Sequence, residues 1–178
     1  MIIARQKRKE NIAEYLLYMW QVEDLIRANK FDMDSINRTV IAHYDQPEEV
    51  KKEIAQWYEE LIEMMRSEGV MEKGHIQLNK NLTDLHLRLL KSPKEMVYSA
   101  AYYKTLPYIV QLRAKSGGED LPELETCFAA VYGYLLLRMQ GKEVSAETLE
   151  GIKQISSFLA LLAEKYREDM KGELKLED

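Results

Sequence analysis

Two stretches of this chain are almost free of charge, and they constrain the fold more than anything else in the sequence. Between Met96 and Leu112 the one charged side chain is Lys104; between Cys127 and Met139 it is Arg138. A helix surrounded by other helices cannot carry ionised positions, because an unpaired buried charge costs several kcal/mol. Both stretches are therefore expected to lie at the middle of a helical bundle. Apolar spacings of three and four recur along nearly the whole chain, and alternation of period two is missing, so the expected fold class is all-α.

Punctuation divides the chain into about seven helices. Pro47, Pro93 and Pro122 sit where helices begin, and Gly69, Gly74, Gly117, Gly118, Gly141 and Gly172 lie between periodic segments. The first helix is expected from about residue 5 or 11 to 28, with Asn11 and Glu14 in capping-box spacing. The second is expected over 35–44 after Asp34, and the third over 46–68 after Asp45. The third carries the cleanest stripe: Val50, Ile54, Trp57, Tyr58, Leu61 and Met65. The fourth, 75–91, shows Leu78, Leu82, Leu85 and Leu89. The two central helices are expected over 93–115, capped by Ser92 with Glu95, and 121–140, preceded by Asp120. The last, 146–170, is capped by Ser145 and striped by Ile152, Ile155, Leu159, Leu162 and Tyr166. Pro107 removes a backbone hydrogen bond inside the first central helix and predicts a kink or break near Lys104. Residues 1–170 read as one domain, and 171–178 as a flexible tail.

Composition narrows the function classes. With 178 residues, 46% apolar and 31% charged, the chain reads as a soluble globular protein with no membrane span. A basic N-terminal cluster before Ile12–Trp20 superficially resembles a secretory leader, but Glu14 interrupts the apolar run and no small-residue cleavage site follows. The single Cys127 excludes an intramolecular disulfide and points to a reducing, cytoplasmic setting. Net charge is -5, which argues against nucleic-acid binding. The distribution is uneven: residues 73–115 carry eight basic and two acidic side chains. This basic middle either complements acidic neighbouring helices or builds an anion patch from Lys80, Arg88, Lys91, Lys94 and Lys104.

No nucleophile and base stand in a recognisable spacing, so no catalytic residue, metal or cofactor is assigned. Glu72 and His75 have the Glu-x-x-His spacing of di-iron bundles, but Gly74 interrupts the helix that would align them. A three-histidine metal site would need His43, His75 and His86 to converge. Glu23 occupies the middle of the apolar stripe Ile12, Leu16, Met19 and Ile26, and must find a partner, either Arg27 one turn on or Arg138. Eleven tyrosines against three phenylalanines is an unusual ratio for a helical core. Tyr98, Tyr102 and Tyr103 surround Lys104 near the expected kink; with Glu23 and Arg138 they form the candidate wall of a pocket for a small anionic ligand. Ala129, Ala130 and Gly133 permit close helix approach. Phe158 and Leu161 fall outside the main stripe of the last helix and form a second apolar face that a partner subunit or another helix would cover; a homodimer is favoured.

The opening Met-Ile-Ile-Ala-Arg-Gln-Lys-Arg-Lys-Glu-Asn-Ile-Ala-Glu-Tyr-Leu-Leu-Tyr-Met-Trp-Gln, followed by Val-Glu-Asp-Leu-Ile-Arg, resembles the N-terminus of a Bacteroidetes family catalogued as a domain of unknown function. The resemblance implies a bacterial, soluble, helical protein and carries over no catalytic residue. Two readings follow: a self-associating helical interaction or structural module, and a binder of, or enzyme acting on, a small anionic ligand.

Overall fold

Asn11 breaks what would otherwise be one long N-terminal helix. Its side-chain Oδ1 accepts from the Ala13 N–H at 3.0 Å, so the chain stops at α1 (Ile2–Glu10) and restarts at α2 (Ile12–Ala28). The computed structural model describes residues 2–76, 80–115 and 121–176, and every described element is helical. Contacts divide the chain into two compact units: residues 1–9 with 14–77, and residues 10–13 with 78–178.

The first unit holds α1, most of α2, α3 (Met33–Thr39), a 3-10 turn (Ile41–His43) and α4 (Glu48–Ser67). The cap of α3 is Asp32, which accepts from the Asp34 and Ser35 N–H groups, two residues upstream of the expected Asp34. The helix expected over 35–44 accordingly starts earlier and tightens into the 3-10 turn. α4 opens at Pro47 without a side-chain cap, in place of the expected Asp45. Its stripe is as expected: Ile54, Tyr58, Leu61 and Met65 are buried, and Val50 and Trp57 pack against them. They meet Ala4, Met19, Val22, Ile26, Ile36, Ile41 and Ile62 in one core.

The second unit is built from α5 (Lys80–Lys91), α6 (Met96–Lys115), α7 (Glu123–Met139) and α8 (Ala146–Met170). Here α8 touches each of the other three, and α6 and α7 also pack on each other. The Ser145 hydroxyl accepts from the Thr148 N–H and sets the start of α8 where its spacing places it. Leu82, Leu85 and Leu89 of α5 are fully buried, as is the expected stripe of α8; Leu78 and Asp120 lie outside the described residues.

Of the kink or break expected near Lys104, the break does not occur, because α6 continues as one helix through Pro107. Proline lacks the N–H that would pair with the Tyr103 carbonyl, and Tyr103 stands on the exposed part of the helix, where that loss costs least. Nor is α6 buried all round. Tyr98, Tyr102, Thr105 and Ile109 face the interior, whereas Met96, Val97, Tyr103 and Val110 are exposed by 58 to 75%. Phe158, expected outside the main stripe of α8 and covered by a partner subunit or another helix, is buried within the chain itself.

Candidate functional site

Three constellations carry polar or unpartnered chemistry, and each is contained within one unit. In the first unit Glu23 is 1% exposed, one of the few charged side chains so deeply buried. Its Oε2 lies 2.7 Å from His75 Nδ1 and 3.3 Å from the Ile76 N–H, so the carboxylate accepts from both an imidazole and a backbone amide. The His75 ring lies flat on Trp20, with centroids 4.1 Å apart and planes within 3°. Arg27, the local partner weighed for Glu23, pairs instead with Asp24 at 2.6 Å and donates to the carbonyls of Val70 and Gly74. Together Glu23 and Arg27 fasten the segment after α4 onto α2. His75 is thus engaged by Glu23 rather than by the exposed Glu72 that its spacing suggested, and His43 is exposed.

In the second unit a polar knot lies within the aromatic core. The Tyr98 hydroxyl and His86 Nδ1 share a hydrogen bond of 2.6 Å, and the Tyr102 hydroxyl donates to Glu123 Oε2 at 2.6 Å. Phe158 and Tyr102 stand against the faces and edges of His86. Burial lowers the His86 pKa below its ordinary 6.5, opposed by the Glu123 charge, which keeps the imidazole neutral and able to accept. Burial also drives the Tyr98 and Tyr102 hydroxyls far above the usual phenol range, Tyr102 with help from Glu123. The Cys127 thiol is pushed up to about 12, first by burial and then by Glu123, with Arg113 opposing. A thiol held protonated in this way is a packing group rather than a nucleophile.

The third constellation is the open side of α6. Met96, Ala100, Tyr103, Pro107, Val110 and Ala114 are all exposed and recur at alternating spacings of four and three residues, with Val97 beside them. The stripe runs about 27 Å along the helix at 1.5 Å per residue. No acidic residue interrupts α6, and Lys104 flanks the stripe at mid-length.

The structure therefore distributes the sequence-predicted site residues rather than gathering them. Tyr98 and Tyr102 belong to the buried knot. Tyr103 and Lys104 are exposed, Tyr103 with its ring edge-on to that of Tyr102 at 5.2 Å between centroids. Arg138 is exposed near the end of α7, with its guanidinium 6.0 Å from the Tyr134 ring centre, and Glu23 is in the first unit. Sequence reasoning missed His86 as the partner of Tyr98, although their separation across the turn at Pro93 signalled a pair of adjoining helices.

These features define an all-helical protein with a buried carboxylate–imidazole clamp in one unit and an apolar helix face left open in the other. The chain belongs to the family described as domain of unknown function DUF4924, whose model matches residues 1–173. No curated protein and no solved structure matches it. Among the described residues, no helix is long and apolar enough to cross a membrane.

Proposed function

We propose that this chain is a helical interaction module that self-associates through the open stripe of α6. The observation that supports this is the order of residue sizes along it. Large side chains, Met96, Tyr103 and Val110, alternate with the small or compact Ala100, Pro107 and Ala114. If a second copy lies antiparallel about a two-fold axis level with Thr105, Met96 falls opposite Ala114, Ala100 opposite Val110, and Tyr103 opposite Pro107. Every large residue then meets a small one, the condition for close interdigitation of two helices. Monomeric proteins rarely leave a long contiguous apolar stripe bare, because each large side chain gains roughly 1.5–3 kcal/mol when fully buried.

The test is sedimentation velocity on the full chain beside the variants Ala100→Glu and Val110→Glu. Both positions are exposed, so the fold should keep its circular dichroism spectrum. A dimer with a Kd of about micromolar, matching a small interface, is expected for the natural chain and a monomer for each variant. A natural chain that stays monomeric at millimolar concentration overturns the reading, as does a dimer indifferent to both substitutions.

A further inference from the structure

A cleft of about 630 Å³ opens in the second unit where α5 ends, lined by Arg88, Lys91, Ser92, Pro93, Leu174, Lys175 and Leu176. Its volume lies within the range of small-molecule sites. Among the described residues, three of the seven that line it are cationic and none is acidic. Arg88 and Lys91 belong to the basic middle of the sequence, and the fold adds Lys175 from the far end of the chain. Asp169 takes one guanidinium nitrogen of Arg88, Nη2, at 2.8 Å, which fixes that side chain. The wall is fixed as well: the Ser92 hydroxyl, itself buried, donates to the Leu176 carbonyl at 3.0 Å and accepts from the Lys94 N–H at 3.3 Å. These bonds carry Leu174 and Leu176 alongside Pro93, so one side of the cleft is apolar.

We infer that this cleft binds a small amphipathic anion, a carboxylate carried on an aliphatic or aromatic body. The cations supply the head-group recognition, and the leucines and Pro93 take the apolar part. An anion alone would leave the apolar wall wet, and an uncharged alkyl chain would leave the charges of Lys91 and Lys175 unused. The cleft shares no lining residue with the stripe of α6.

The experiment is isothermal titration calorimetry on the full chain with sodium octanoate, octanol and inorganic phosphate as probes. Octanoate should bind saturably and at least tenfold tighter than either of the others. Lys91→Glu combined with Lys175→Glu should weaken octanoate at least tenfold, and Leu176→Ser should weaken octanoate while leaving phosphate unchanged. Lys91 and Lys175 are exposed, so an unaltered circular dichroism spectrum is expected of the charge variant. Absence of saturable octanoate binding overturns the inference. So does octanoate binding that survives the charge reversal, or phosphate binding as tightly as octanoate.

Discussion

Glu23 and His75, separated by 52 positions in sequence, form a carboxylate–imidazole pair at 2.7 Å over which Trp20 lies as a lid. The carboxylate is buried and also holds the Ile76 amide, so removing it strands two donors at once. Glu23→Ala should lower the stability of the first unit by about 2–4 kcal/mol, and Glu23→Gln, which still accepts, by less than half of that. Both tryptophans, Trp20 and Trp57, belong to this unit, so the urea midpoint followed by tryptophan fluorescence reads it selectively. A double-mutant cycle with His75→Ala should return a coupling of about 1 kcal/mol or more. Additivity of the two substitutions would show that the pair contributes nothing as a pair.

His86 makes the second unit sensitive to acid. Its pKa in the fold lies below the ordinary 6.5, chiefly through burial. Above pH 6.5 the imidazole is neutral in both the folded and unfolded states and stability does not depend on it. As the pH falls below 6.5, the unfolded chain takes up its proton first, and the stability of α5 to α8 declines until the folded pKa has been passed. His86→Gln keeps a polar partner for the Tyr98 hydroxyl and removes the titration. It should cost about 1–2 kcal/mol at neutral pH and flatten the acid limb in thermal melts followed by near-ultraviolet circular dichroism. An acid limb of unchanged slope in this variant would assign the sensitivity to another group.

The two glycines inside helices should respond oppositely to alanine. A methyl group at Gly133 meets nothing within 4 Å, so Gly133→Ala should gain about 0.5–1 kcal/mol from helix propensity alone. At Gly151 the added carbon would stand 3.0 Å from Tyr108 Cδ1, where α8 presses on α6. Gly151→Ala should gain nothing, and Gly151→Leu should cost about 2 kcal/mol or more through overpacking. Thermal melts of the three variants give the comparison directly.

Local signals were the ones legible in the sequence. Ser145 placed the start of α8, Asn11 caps α2, and the stripes of α4 and α8 predicted their buried faces. Absence of charge was less informative than it looked. A helix spares ions when neighbours surround it, but equally when one apolar face meets the core and a second is left open, and α6 is the latter case. The second apolar face of α8 at Phe158 was legible, but not whether a partner subunit or another helix would cover it. A helix touched by three others needs a wider apolar arc. The partner of Glu23 was illegible for a different reason: helical periodicity reports neighbours one turn away, whereas His75 arrives from a segment after α4 that has no periodicity at all.

Lys104 offers the sharpest check on the proposed antiparallel pairing of α6. It flanks the stripe at mid-length, so the two-fold axis brings it beside Lys104 of the second copy. Two like charges about 6–8 Å apart in water oppose association by roughly 0.5–0.7 kcal/mol, a factor of about two to three in Kd. Lys104→Ala should therefore tighten the dimer by that factor. Added salt should strengthen the natural dimer and leave the variant nearly unchanged, since screening removes only the repulsion. Charge reversal provides the decisive comparison: Lys104→Glu alone repels itself as the natural chain does, but mixed with the natural chain it places opposite charges across the axis. The mixed dimer should be the tightest of the three by sedimentation equilibrium with one partner labelled. A parallel pairing keeps Lys104 away from its own copy and would give no such preference, so equal affinities across the three combinations would refute the antiparallel arrangement.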